Sequence, residues 1–208
     1  MLNLPAHAFR RYDETSDLLF YSQPRFVTHI EDETIRGVTQ LYRETLPPGG
    51  DILDLMSSWV SHLPDEISFG RVVGLGMNAR ELEANPRLDE WVVRDLNAQP
   101  SLPFPDASFD ALVCCVSVQY LTHPIEVMRE AARVARPGAP IVITFSNRCF
   151  PTKATLAWQM LDDAGHLALV ASYLEGAGGW TNVEQLNRTA PRAREPLLAV
   201  VARREDAS

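Results

Sequence analysis

Apolar positions along the chain fall into short continuous runs, separated by stretches where they recur every three or four residues. Ile52, Leu53 and Leu55 form the first run, between Pro47-Pro48-Gly49-Gly50 and the polar pair Ser57-Ser58. Such a run suits a strand of a parallel sheet covered on both faces. Arg71 to Gly76, Trp91 to Val93, Ala111 to Ser117, Ile141 to Phe145, Trp180 to Leu186 and Leu197 to Val201 read as six more strands. Between them, Ile35, Val38, Leu41, Tyr42 and Thr45 repeat at helical spacing, with Asp32 as N-cap and Pro47 as stop, and this helix is expected at the sheet edge of the first strand. Asn78 with Glu81 three residues on spells a capping box for a short helix limited by Pro86. Ile125, Met128, Ala131, Ala132 and Ala135 mark a longer helix ending at Pro137-Gly138. Pro151 opens an inserted helix over Thr152 to Leu161, and Leu167, Val170, Ala171 and Leu174 define a last one closed by Gly176, Gly178 and Gly179.

Strands alternating with helices, then two strands close enough to pair antiparallel, predict a doubly wound α/β fold. Its seven-stranded sheet is mostly parallel, with helices on both faces and a C-terminal antiparallel hairpin. Residues 1–30 mix Phe9, Tyr12, Phe20, Tyr21 and Phe26 with charges and no clean period, the pattern of an N-terminal arm covering a site on a single domain, residues 31–208. Ligands of open parallel sheets bind beyond the carboxyl ends of the strands, where the strand order reverses. The polar turn after Leu55, bearing the fixed carboxylate Asp54, is therefore the default ligand site.

With 208 residues, 46% hydrophobic and 22% charged, the chain suits one folded domain rather than a disordered segment. A net charge of -8 repels a phosphate backbone, and the densest basic run, Arg188 to Arg204, is diluted by Glu195, so nucleic acid is not expected as a partner. Pro5 and early charges interrupt any signal-peptide core, and no segment approaches the roughly 18–20 apolar residues of a membrane span. The expectation is a cytoplasmic protein without a membrane partner. Cys114, Cys115 and Cys149 form neither a CxxC pair nor a disulfide framework. His7, His29, His62, His123 and His166 are scattered, so no metal site is expected.

Gly74-Leu75-Gly76-Met77-Asn78-Ala79 formally satisfies the dinucleotide fingerprint, with Asp95 about 20 residues on, which raises an NAD(P)-binding oxidoreductase. Against it, Pro86 cuts the following helix short, a strand already precedes this unit, and no Tyr-x-x-x-Lys pair is present.

A longer run is more specific. LPFPDASFDALVCCVSVQYL (102–121), VMREAARVARPG (127–138) and PIVITFSNR (140–148) together resemble class I S-adenosylmethionine-dependent methyltransferases, in particular the small-molecule group loosely called type 11. DLMSSWVSHLP (54–64), VVGLGMN (72–78) and FSNRCFPTKA (145–154) are similar to a methyltransferase-like subgroup whose first motif lacks glycine. The resemblance implies S-adenosylmethionine as cofactor and a small molecule as methyl acceptor. It places Asp54 at the cofactor's amino group, Asp95 with Leu96 and Asn97 at the adenine amine, and Cys115 to Ser117 beside the methionine moiety. Tyr120 falls where side chains face cofactor or acceptor.

Two departures accompany it. Met56, Ser58 and Val60 occupy the glycine positions of the first turn, where each added Cβ takes up space. The acid that grips the ribose aligns with Gly76, so that task passes to Asn78, Ser57, Ser58 or a backbone group, near Met77. These departures motivate an alternative, a non-catalytic methyltransferase-fold binding or partner protein.

Tyr21, Arg25 and His29 lie four apart and share one face if the segment is helical; Arg25 then pairs with the cofactor's carboxylate or an acidic acceptor, or else lies on a solvated face. Asn147, Arg148, Phe150, Thr152 and Lys153, past the fifth strand, are placed for acceptor contacts or form a structural loop, and Tyr21 and Tyr120 join the acceptor set. Trp59 either stacks on a ligand or fills the layer beneath a helix. Methyl transfer is an in-line displacement that positioning alone can catalyse, so no dyad is required. Where a base is needed, Tyr120 and His29 are the candidates.

Overall fold

A computed structural model describes residues 5–206. Its sheet contains β1 (Ile52–Ser57), β2 (Val72–Gly76), β3 (Glu90–Val93), β4 (Ala111–Cys115), β5 (Pro140–Phe145), β6 (Trp180–Asn187) and β7 (Leu198–Arg204), in the order β3-β2-β1-β4-β5-β7-β6. β1 to β5 pair in parallel, and β7 alone is reversed, pairing antiparallel with both β5 and β6. This is the predicted fold, with the chain reversing its direction of growth between β1 and β4.

Alternation along the strands builds two apolar layers. Ile52, Val72, Val113, Val142 and Ala199 face α2 (Asp32–Thr45), whose Val38, Leu41 and Tyr42 are buried on them. Leu53, Leu75, Leu112, Ile143 and Val200 face the other way, onto α4 (Pro124–Val134) and α6 (Asp163–Ala177). Helix α2 therefore covers the middle of the sheet rather than an edge, because β1 is an interior strand. It starts after Glu31, and Asp32 is its first residue rather than its cap. Helix α3 (Ala79–Ala84) leans on β2 and β3.

The loop that carried the family resemblance is fastened by Arg133 of α4, which donates to the carbonyls of Leu102 and Phe104, each at 2.9 Å, and to Asp106 at 2.7 Å. Asp110 accepts the backbone N–H of Asp51 at 2.8 Å and pairs with Arg136. These residues hold the entries of β1 and β4 together.

Three local expectations are corrected. The inserted helix is only α5 (Leu156–Gln159), begun by Thr155, whose hydroxyl accepts the Trp158 N–H; residues 151–154 form a turn closed on the Phe150 carbonyl. Strand β4 stops at Cys115 because Val116 turns to φ 48°. Tyr21, Arg25 and His29 share no helix face: α1 (Asp17–Phe20) ends before them, and Pro24 lacks an N–H and biases Gln23 to extended backbone. Among the described residues no helix is long and apolar enough to cross a membrane.

Candidate active site

A cavity of about 350 Å³ opens beyond the carboxyl ends of β1, β2 and β4, at the reversal point. That volume lies in the lower part of the range typical of small-molecule sites. Its floor is the turn after β1; its sides come from residues following β2, β3, β4 and β5, and Asp17, Tyr21, Arg25 and residues 27–30 roof it.

The floor explains the glycine-free motif. Leu55 pairs with Leu75 and Ser57 with Gly76, so Met56 is an extra residue, a bulge with φ 56°. The strand thus takes a left-handed step without glycine, a conformation that costs a non-glycine residue roughly 1–2 kcal/mol. His62 (φ 53°) and Val116 (φ 48°) on the same rim are also left-handed, and such outliers gather at functional sites. The bulge pushes the Ser57 carbonyl against β2, where a Cβ on Gly76 would stand 2.1 Å from its oxygen. No acidic side chain can occupy that position.

Asp54 is buried, and one carboxylate oxygen accepts hydrogen bonds from Ser57 and Ser61, both at 2.6 Å. Burial outweighs these two donors and raises its pKa to about 6. His62, at the end of this turn, is pushed down by burial to about 4 and is neutral near pH 7.

Asn78 does cap α3, accepting from the N–H groups of Arg80 (3.0 Å) and Glu81 (3.3 Å). Its amide donates to the carbonyls of Tyr21 and Ser22 and does not line the cavity, so the ribose role expected of it is corrected. Glu81 does not reach back to complete a capping box. Its carboxylate lines the cavity and accepts the Ser58 hydroxyl at 2.6 Å and the Arg25 backbone N–H at 2.7 Å.

After β3, one Asp95 oxygen, Oδ1, accepts from the N–H groups of Asn97 (2.9 Å) and Ala98 (3.2 Å), and among the described residues nothing donates to Oδ2. Leu96 is buried beside it. Asn97 is a clamp, donating to Asp17 and to the Tyr120 carbonyl, each at 2.9 Å. After β4, the Ser117 hydroxyl contacts Cys114 Sγ at 3.3 Å, and burial pushes the Cys115 thiol up to about 12. The Tyr120 hydroxyl accepts the Phe150 N–H at 2.9 Å, and the two rings stack. Burial raises the Tyr120 phenol well above its ordinary range, so it is a neutral group and a poor base. His29 stands at the mouth, edge-on to Phe150, and desolvation lowers its pKa.

Gly76, Met77, Met56, Ser57, Ser58, Tyr21, Arg25, Arg148 and Phe150 all line the cavity. Asn147 does not; it borders a shallow depression with Glu31, Arg194 and Glu195, to which Arg148 also belongs. Thr152 and Lys153 are likewise outside. Lys153 is fully buried, 3.1 Å from Asp17 and 3.3 Å from Asp13, and donates to the Thr15 carbonyl at 2.7 Å. Arg11 grips the same Asp17 with two bonds of 2.9 and 2.8 Å. Against the effect of burial, Arg11, Asn97 and Lys153 hold the Asp17 carboxyl below its usual range. Trp59 lines the cavity while donating to the Val27 carbonyl at 3.1 Å. Sequence reading missed Asp17, Glu81, His62 and Arg94 as lining residues, and only His62, in the polar turn after Leu55, offered a signal. Among the described residues no group of three His, Cys, Asp or Glu is placed to hold a metal ion.

The dinucleotide fingerprint has a packing cause. Gly74 and Gly76 lie inside β2, and a Cβ on Gly74 would come within 2.4 Å of Leu88. The turn into α3 contains no glycine.

Residues 57–143 match the family model described as a methyltransferase domain. Demethylmenaquinone methyltransferase of Mycobacterium sp. (strain JLS) is 30% identical over 148 residues, 69% of this chain and 60% of that protein. The 27-O-demethylrifamycin SV methyltransferase of Amycolatopsis mediterranei (strain S699) is 35% identical over 78 residues, 35% of this chain and 29% of that protein. The match thus spans less than two thirds of either relative. An S-adenosylmethionine-dependent methyltransferase from Mesorhizobium loti shares the fold, with a TM-score of 0.55 at 18% identity over 81% of this chain and 98% of that one. These findings identify the class by its fold, that of class I S-adenosylmethionine-dependent methyltransferases; residues 57–143 are similar to a methyltransferase domain, and S-adenosylmethionine is the indicated cofactor.

The cavity suits that cofactor on one observation: among the described residues nothing donates to Asp95 Oδ2, which is free on the cavity wall to accept from an adenine amine.

Proposed function

We propose that the protein methylates a small molecule, using S-adenosylmethionine. The observation that carries this is the convergence, on one cavity, of Asp54 on β1, Glu81 on the helix after β2, Asp95 after β3 and Ser117 after β4. Asp95 receives the adenine amine, and Glu81 with Ser58 receives the ribose hydroxyls in place of an acid at Gly76. Asp54 lies toward the amino group of the methionine tail, and Cys115 to Ser117 flank the tail. The bound cofactor supplies a methyl group on a sulfonium. The chain's residues orient the acceptor against it and keep water out beneath the 17–30 roof. His29, neutral at the mouth, takes the acceptor's proton where one must leave. The names of the two relatives denote small-molecule acceptors, which supports an acceptor of that kind.

The second reading, a binding protein without catalysis, is favoured by the blocked position at Gly76. Calorimetry with S-adenosylhomocysteine tests the cofactor site: micromolar binding, weakened at least about tenfold by Asp95→Ala, is expected. No binding at millimolar ligand overturns it, and NADH in the same cell tests the oxidoreductase. S-adenosylhomocysteine release with a panel of small acceptors separates enzyme from binder.

A further inference from the structure

Among the described residues, the Arg25 guanidinium makes no ion pair. Its guanidinium carbon sits 4.6 Å from the centre of the Phe20 ring and 5.4 Å and 5.7 Å from those of Phe150 and Tyr21. Nη2 donates to the Phe20 carbonyl at 2.9 Å, whereas Nη1 is buried with no acceptor. The nearby Glu81 carboxylate is spent on the backbone N–H of Arg25, not its side chain. Rings attract a guanidinium but do not replace the hydrogen bonds it loses with water, and an unpaired desolvated charge is costly. A carboxylate supplies both the missing acceptor and the missing charge, in the planar geometry a guanidinium fork matches.

The Arg25 backbone N–H sits on Glu81 at 2.7 Å, but its guanidinium lies among the rings at the other end of the cavity from Asp95. Asp95 follows β3 and Phe150 follows β5, strands four positions apart in the sheet, so their axes stand roughly 19 Å apart. Arg25 packs against Phe150, at the β5 end, beside Tyr21, Tyr120 and His29. We infer that Arg25 receives a carboxylate there and that it belongs to the methyl acceptor, a planar, acid-bearing molecule held among these rings. This rests on the methyltransferase reading and gives its acceptor a chemical class.

The test uses the full chain and its Arg25→Gln variant, with benzoate and its neutral counterpart benzamide titrated into protein saturated with S-adenosylhomocysteine. Wild type is expected to prefer benzoate by at least about tenfold, and Arg25→Gln to abolish the preference. S-adenosylhomocysteine and 5′-methylthioadenosine, which lacks the amino-acid tail, form the second arm. If Arg25→Gln instead erases only the preference for S-adenosylhomocysteine, the carboxylate is the cofactor's and the acceptor assignment is overturned. If both preferences survive within twofold, Arg25 recognises no carboxylate. Should wild type bind neither nucleoside, the cofactor reading fails, and benzoate against benzamide on the unloaded protein still decides the role of Arg25. Far-UV circular dichroism checks the fold; if Arg25→Gln does not fold, Arg25→Lys, which lacks the planar fork, is expected to lose most of the preference.

Discussion

The carbonyl oxygen of Ser57 lies 2.1 Å from the point where a β-carbon on Gly76 would stand. Backbone, not a flexible side chain, fills that space, so Gly76→Ala must displace the end of β1 or β2. A loss of roughly 3 kcal/mol is expected, read from urea unfolding. A midpoint equal to wild type would show that the bulge at Met56 relaxes freely. The same contact implies that Gly76→Asp unfolds the strand end instead of restoring a ribose acid.

Glu81 is assigned that missing role, and a double comparison tests it. Glu81→Gln should weaken S-adenosylhomocysteine by about tenfold yet change little toward a 2′,3′-dideoxy analogue, because only the former offers hydroxyl donors. Equal losses for both ligands would make Glu81 a tie between Ser58 and the Arg25 backbone and nothing more.

Lys153 fastens residues 13–17 to the loop after β5 from a fully buried position. Lys153→Met leaves the Asp17 carboxylate buried with Arg11 as its remaining cation and removes the bond to the Thr15 carbonyl, which costs about 1.5–3 kcal/mol. Limited proteolysis should then cut within residues 9–30 well before the sheet. Cleavage at the wild-type rate would mean that Arg11 alone holds the segment.

Asp54 makes the pH dependence of stability specific. Its folded pKa, about 6, lies above the ordinary 3.8, so the unfolded chain ionises first as pH rises. Stability is full below about pH 4, falls between 4 and 6, and carries a penalty of roughly 3 kcal/mol at pH 7. Asp54→Asn does not ionise, so its stability relative to wild type should improve by about that amount between pH 4 and pH 7. Parallel unfolding curves for the two proteins across this range would refute it.

The sheet was legible because each parallel strand is an uninterrupted apolar run with Pro, Gly or a cap beside it, signals that depend only on neighbours. Asn78 as a cap was legible for the same reason. The roof of the cavity was not. Four-residue spacing of Tyr21, Arg25 and His29 suggested a helix that Pro24 prevents, yet tertiary contacts still bring all three to the cavity. Lys153 looked like an acceptor contact because its partners, Asp13, Thr15 and Asp17, lie far away in sequence. Glu81 read as half of a capping box, and its recruitment by Ser58 and Arg25 depends on a bulge that no local pattern announces.

The left-handed backbone at Met56, His62 and Val116 also limits how this rim can diversify. Only glycine and, less freely, asparagine or aspartate adopt that conformation at small cost. A selection for new acceptors would therefore find its freedom in the intervening side chains, such as Trp59 and Val60, and in Tyr21 and Phe150 opposite. Accepted replacements at 56, 62 and 116 would converge on those few residues whatever molecule is being selected.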